Sequence, residues 1–274
     1  MEIKNLILKD TPVINFDKER TDPRKLSHIL RIDKGIIECW NHWVNIDGTW
    51  YYFKDFNLYY DPAKHFLNEL IGEVLANVLE LSTIHYNIGH MSLEDGSKDY
   101  VLLSESFREK GYKYLLPSQV FYRNCINLSN LELIRNNCET NGKYRELVSQ
   151  LLKMIAIDVY MNQEDRTTNN LLFKKKGGII TLAPLYDYEE SFNESTNNKP
   201  FKYKTPILGL DLSDTSEIDK FPELKELFSM FLSLDIEKLL DYVSDKHKID
   251  IPERKRKEYR KHDEHMKKVL TRIV

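Results

Sequence analysis

Cysteine is scarce in this chain, and the few cysteines present do not form a pattern. Cys39, Cys125 and Cys138 are odd in number and make no C-x-x-C motif, which fits neither a disulfide framework nor a zinc ribbon and leaves three reduced thiols. Long apolar runs are also missing. No stretch offers the ~18 consecutive apolar residues of a membrane span, and MEIKNLILKD at the start lacks the apolar core and small-residue cleavage site of a secretory signal. A cytoplasmic protein with no membrane partner is expected. Nor does charge of one sign dominate: 40 Lys and Arg face 43 Asp and Glu, a formal net charge of -3, which argues against bulk adhesion to nucleic acid or an anionic surface. Glycine and proline are sparse, at 10 and 9 residues, and there is no internal repeat or low-complexity linker. What remains is a chain of 274 residues, 41% hydrophobic and 30% charged, able to bury a sizeable core as one large domain or two closely joined lobes.

Residues 1–31 are charged and carry a turn signal at TDPRK, so a loop-rich lead-in is expected. From Ile36 to Phe56 two aromatic and β-branched runs flank an Asp-Gly pair, which predicts a β-hairpin. Asp61-Pro62 then supplies an N-cap and a first-turn proline. Leu67, Leu70, Ile71, Val74, Leu75, Val78 and Leu79 follow at helical spacing, predicting a helix over 62–81. Ile84–Ile88 and Asp99–Phe107 read as strands joined by the loop GHMSLEDGSK. After Phe107 the pattern is mixed over 112–138. Helices are then predicted over 143–161, 222–232, 235–245 and 252–273, with two short strands around Gly177-Gly178 between them. The expected class is α+β: a small β-rich lobe with one long helix over 1–107, and a larger α-rich lobe over 108–274.

The chemistry concentrates in Asn162-Gln-Glu-Asp165-Arg166-Thr-Thr-Asn169-Asn170, followed by the short hairpin and by Asp187 in LAPLYD. Phosphoryl transfer from ATP needs such parts: a carboxylate to accept the proton of the attacking hydroxyl, and an amide with a carboxylate to hold magnesium. By itself a D-x4-N pair is also ordinary turn chemistry. Lys54 closes Tyr51-Tyr52-Phe53 on the second hairpin strand, where a kinase places its phosphate-gripping lysine, although most lysines at strand ends are simply exposed. Glu69 and Glu73 stand one turn apart on the helix face away from its apolar stripe, and either could pair with Lys54 or be solvated. DYVLLSESF then leads out of the first lobe, suited to offering backbone groups to adenine or to serving as a core strand.

In this order the parts resemble the HipA-like kinases, bacterial protein kinases distantly similar to eukaryotic protein and phosphoinositide kinases. The resemblance covers residues 50–190 through YYFK, NELIGEVLANVLEL, VLLSESF, NQEDRTTNN and LAPLYD. It implies a bilobal protein-kinase-like fold, with ATP and Mg2+ as cofactors and Ser/Thr protein phosphorylation as the activity. It also implies Asp165 as catalytic base, Asn170 and Asp187 as magnesium ligands, and Glu105 and Phe107 beside the nucleotide. Counting back from ANVLEL selects Glu69 over Glu73 as the partner of Lys54. Two features depart from the family: Thr167 stands where members often have His, and no glycine-rich phosphate loop precedes Lys54, with only Gly35 and Gly48 in residues 27–53. Ser27 lies at a distance compatible with the autophosphorylation serine of some relatives. The short chain resembles a compact, toxin-type member, for which the implied partners are a protein substrate with a Ser/Thr acceptor and a neutralising antitoxin.

Three signals carry less. The basic run at 253–268 is broken by acids and has the pattern of a helix with a solvated face. His262 and His265 lack a third metal ligand. Trp40, Trp43 and Trp50 fit cross-strand core pairs better than base stacking. Two alternatives to a protein kinase stay open: a nucleotide-binding pseudokinase or interaction module, and a kinase acting on a lipid or small-molecule hydroxyl.

Overall fold

The computed structural model describes residues 14–15, 42–46, 49–56, 61–92, 98–121, 128–141, 144–163, 165–166, 170–192 and 215–274. Ser27, Gly35, Gly48, Trp40 and Thr167 lie outside the described residues. The first part is a five-stranded sheet in the order β1-β4-β5-β3-β2, made from β1 (Ile14–Asn15), β2 (His42–Ile46), β3 (Thr49–Asp55), β4 (Asn87–Ser92) and β5 (Lys98–Glu105). In the β2–β3 hairpin Ile46 pairs with Thr49, the register expected from the Asp-Gly pair that separates them in sequence. Among the described residues of the expected loop-rich lead-in, Ile14–Asn15 form β1, running parallel to β4.

Helix α1 (Pro62–Val78) follows. The Asp61 carboxylate accepts the Lys64 N–H at 3.2 Å, and Pro62 fills the first turn, where its missing N–H costs nothing. The helix stops three residues short of the predicted end. Glu80 adopts a left-handed φ of 56°, and the Leu81 N–H reaches back to the Ala76 carbonyl at 2.8 Å, a Schellman-type closure. Almost every residue from Pro62 to Ala76 is buried, because α1 packs against two helices of the second part as well as lying beside the sheet. Of the two alternatives open for Glu69 and Glu73, solvation applies to neither: both are fully buried.

The strand predicted at Ile84–Ile88 also shifts. It starts at Asn87, and the preceding segment instead bonds to the chain ahead of Asp187: Ile84 N–H to Leu185 O at 3.1 Å, and Leu185 N–H to Ser82 O at 2.9 Å. The loop predicted over 89–98 accordingly begins inside β4.

The second part is mainly helical. It contains β6 (Lys113–Leu115), α2 (Pro117–Val120), α3 (Leu128–Asn141), α4 (Arg145–Met161), β7 (Phe173–Lys176), β8 (Ile179–Leu182), α5 (Pro222–Leu232), α6 (Ile236–His247) and α7 (Glu253–Leu270). β6, β7 and β8 form an antiparallel sheet in that order. The β7–β8 hairpin turns at Gly177 and Gly178, whose positive φ values of 56° and 87° are what such a tight turn requires. α4 is buried along most of its length and packs on α3, α5 and β8, which fixes where its C-terminal end delivers the chain. That end is Asn162, left-handed at φ 50°, and the segment carrying Asp165 begins there.

Candidate active site

Lys54 extends from β3 into the space between the sheet, α1 and the segment after β8. Its strand position is half the explanation: alternation along β3 turns it inward, and it is 3% exposed, so the reading of a solvated strand-end lysine does not apply. Its ammonium bonds Glu69 on α1 and Asp187, and it meets Glu189 at 2.9 Å. Burial by itself would lower the Lys54 pKa, but Asp187, Glu69 and Glu189 outweigh it and hold the amine well above its ordinary range. Glu69 is fixed from its other oxygen by the Tyr86 hydroxyl, which donates at 2.8 Å. Burial raises the Glu69 pKa; Lys54 opposes that shift, while Asp187 and Glu189 add to it.

Glu73, the rival partner, faces elsewhere. It accepts from Lys246 at 2.7 Å and bonds His85 Nδ1 at 2.9 Å, and His247 Nε2 lies 3.6 Å away. One helical turn thus separates a glutamate directed at Lys54 from one joined to α6.

Asp165 and Asn170 are brought together: the Asn170 amide donates to the Asp165 carboxylate at 3.0 Å and to its backbone carbonyl at 2.7 Å. With its nitrogen so engaged, the Asn170 amide oxygen is the atom left to offer a cation. Asp165 itself remains open to solvent. Partial desolvation raises its pKa, the nearby Asp187 charge adds to the shift, and the Asn170 bond opposes it. The Asp187 side chain points to Lys54, and its φ of 67° lies in the left-handed region. Its backbone carbonyl accepts from the Gln163 amide, whose oxygen in turn receives the Asp165 N–H at 3.2 Å.

A buried arginine that the sequence reading passed over ties these segments. Arg166 is fully buried and forms a two-pronged pair with Asp158 of α4, at 3.0 and 2.9 Å. Its third nitrogen donates to the carbonyl of Tyr186 at 2.6 Å and to that of Asn170 at 3.3 Å. The backbones leading to both expected magnesium ligands are therefore clamped by one guanidinium. The clue was present in MIAIDVYM: an aspartate inside the apolar face of a helix requires a buried partner.

The segment Asp187-Tyr188-Glu189 is also fastened to α1. Asn68 donates to the carbonyls of Glu189 and Ser191, each at 2.7 Å. The Tyr188 ring lies so close to Gly72 that a β-carbon there would sit 2.2 Å from it, and Arg166 stacks on the same ring at 4.8 Å.

At the end of β5, Glu105 is exposed and lies 3.4 Å from the Tyr51 hydroxyl. The Phe107 ring stacks on Tyr186 at 6.1 Å, and the Phe107 carbonyl receives the Tyr114 hydroxyl at 2.9 Å. Phe107 thereby joins the strand leaving the first sheet to the residue before Asp187. His262 and His265 form no metal pair: His262 Nε2 bonds the Tyr160 carbonyl at 2.7 Å, and His265 is exposed. The basic run on α7 is largely neutralised within the protein, with Arg256 and Arg260 both bonded to Glu237 and Lys255 to Asp61. Among the described residues, no helix is long and apolar enough to cross a membrane.

A small sheet carrying one buried helix, placed over a helical part with acidic loops at the junction, is a bilobal kinase-like architecture. No family model and no curated protein sequence matches the chain. Solved structures do match. The proinflammatory kinase CtkA of Helicobacter pylori superposes with a TM-score of 0.56 at 14% identity, covering 95% of this chain and 93% of that one. HipA of Shewanella oneidensis MR-1, solved with HipB and operator DNA as a toxin–antitoxin system, superposes with a TM-score of 0.51 at 14% identity, covering 90% of this chain and 70% of that one. The chain has a HipA-like kinase fold.

Proposed function

We propose that this protein is an ATP- and Mg2+-dependent phosphotransferase, a HipA-like kinase that phosphorylates serine or threonine of a protein. The observation that carries this reading is the convergence on Lys54 of Glu69, from the helix of the first part, and Asp187, from the loop of the second. Nothing in the packing of a core requires a lysine among three carboxylates, and isolated buried charges are costly. A site that receives a polyphosphate and a cation does require both signs.

In this reading Lys54 grips phosphate oxygens, positioned by Glu69, which Tyr86 holds in place. Glu105 and Phe107 flank the adenine. Asn170 and Asp187 offer an amide and a carboxylate oxygen, a donor set suited to a hard divalent cation. Bound there, magnesium would neutralise charge on the transferred phosphoryl group. Asp165 accepts the proton of the acceptor hydroxyl, and its raised pKa strengthens it as a base. Ser27 remains the autophosphorylation candidate, and a neutralising protein is the proposed partner.

The test is incubation with labelled ATP and magnesium, followed by separation of protein from small molecules. Label on protein serine or threonine supports the reading, label on a lipid or small hydroxyl compound moves the acceptor, and nucleotide binding without transfer makes the protein a pseudokinase.

A further inference from the structure

An ammonium has three N–H donors, and on Lys54 all three are matched by carboxylates: Glu69, Asp187 and Glu189. A phosphate oxygen can reach the lysine only if one carboxylate leaves. Glu69 is fully buried and held by Tyr86. Asp187 bonds Lys54 through Oδ1, so that Oδ2 can serve a cation without breaking the contact, and its backbone is fixed by Gln163 and Arg166. Glu189 makes the longest of the three contacts, at 2.9 Å, and its backbone carbonyl is anchored to α1 by Asn68 at 2.7 Å and lies 2.9 Å from His65 Nδ1. Charge points the same way, because one cation faces three carboxylates. That surplus repels a bare polyphosphate.

Resting on the phosphotransferase reading, we propose that Glu189 is a placeholder for nucleotide phosphate. It occupies one donor of Lys54 until a polyphosphate carrying a divalent cation displaces it, so that the site takes nucleotide as the metal complex and discriminates against the free anion. The pivot is the side chain alone, since the anchored carbonyl stays on α1. Glu189 is thus a specificity-determining residue for the form of the nucleotide, and it does not take part in transfer.

The experiment compares wild type with Glu189→Gln and Glu189→Ala, the second because a glutamine oxygen can still accept from Lys54. ATP binding is measured by calorimetry in excess EDTA and in excess magnesium. Both variants are expected to bind metal-free ATP about tenfold more tightly than wild type, with binding of Mg-ATP changed far less, the effect of removing one like charge near the phosphates. Weaker Mg-ATP binding with unchanged metal-free binding would make Glu189 a metal ligand and overturn the proposal. Unchanged affinities in both conditions would overturn it as well. A second arm needs no nucleotide: acylation of Lys54 by a small amine reagent, read by mass spectrometry, should be several-fold faster in Glu189→Ala, and an unchanged rate counts against the contact. If neither wild type nor variants bind ATP, the phosphotransferase reading fails, and the labelling arm separately decides whether Glu189 shields the lysine.

Discussion

Asp165 and Glu69 put the proposed chemistry on single side chains, and each can be removed with little change of shape. Asp165→Asn should leave folding intact, because the residue is open to solvent and Asn170 can still bond its carbonyl. Phosphoryl transfer should fall by about 10²–10⁴-fold, the usual range for an acid–base group. Near-native transfer by the folded variant would take the base role from Asp165. The two glutamates of α1 should separate cleanly. Glu69→Gln disturbs the Lys54 cluster and should cut turnover. Glu73→Gln acts instead at the junction with Lys246 and His247, lowering unfolding stability by roughly 1–3 kcal/mol, the cost of an impaired buried polar contact, with turnover retained. Activity assays alongside urea titrations decide it. If Glu73→Gln inactivates while Glu69→Gln is silent, the helix has been read one turn out of register.

At the scale of elements, α1 packs directly against the loop that carries Asp187, through Gly72 and Asn68. Gly72 gives the Tyr188 ring its place, and a β-carbon 2.2 Å from the ring must displace it. Overpacking of this kind costs about 1–3 kcal/mol. Gly72→Ala should therefore lower the urea midpoint and, since Tyr188 lies between Asp187 and Glu189, weaken Mg-dependent nucleotide binding. Wild-type values for both would show that the ring has room to move. The sequence made α1 legible through its cap, its proline and its apolar period, and the β7–β8 hairpin through its glycine pair. It could not show that α1 is buried on all sides, because a period in one sequence does not report how many other elements enclose it. For the same reason Ile84–Ile88 reads as a strand throughout: its apolar residues are buried, but the hydrogen bonds at its start go to the chain at Leu185, and only Asn87 and Ile88 belong to β4. In the site, Lys54, Glu69, Asp165, Asn170 and Asp187 stood out through the order of motifs. Tyr86 and Glu189 did not, because Glu69 and Lys54 come near them only on folding; for Arg166 the clue was Asp158, eight residues earlier on the apolar face of α4.

Across the whole molecule, a buried and a half-buried histidine make stability depend on pH. His247, at the end of α6, sits beside Glu73 and Lys246; burial lowers its pKa to about 4, with Glu73 opposing and Lys246 adding to the shift. His262 on α7 packs on the rings of Tyr160 and Phe192, and burial likewise lowers it to about 4, against the bond to the Tyr160 carbonyl. Both folded values lie below the ordinary 6.5. The unfolded chain therefore binds more protons between those limits, and the stabilisation present above pH 6.5 is lost as pH falls toward 4. Each histidine should contribute on the order of 2 kcal/mol to that loss. The raised carboxyls of Glu69 and Asp165 act in the opposite direction, since they take up protons more readily when folded. The histidine contribution is isolated by comparing urea unfolding at pH 7.5 and 4.5 in wild type and in His262→Gln, where an amide can still donate to the Tyr160 carbonyl without titrating. The variant should lose less stability on acidification than wild type. An equal loss in both would mean that His262 does not stay neutral in the folded protein, and that acid lability arises from the ion pairs joining α6 and α7 instead.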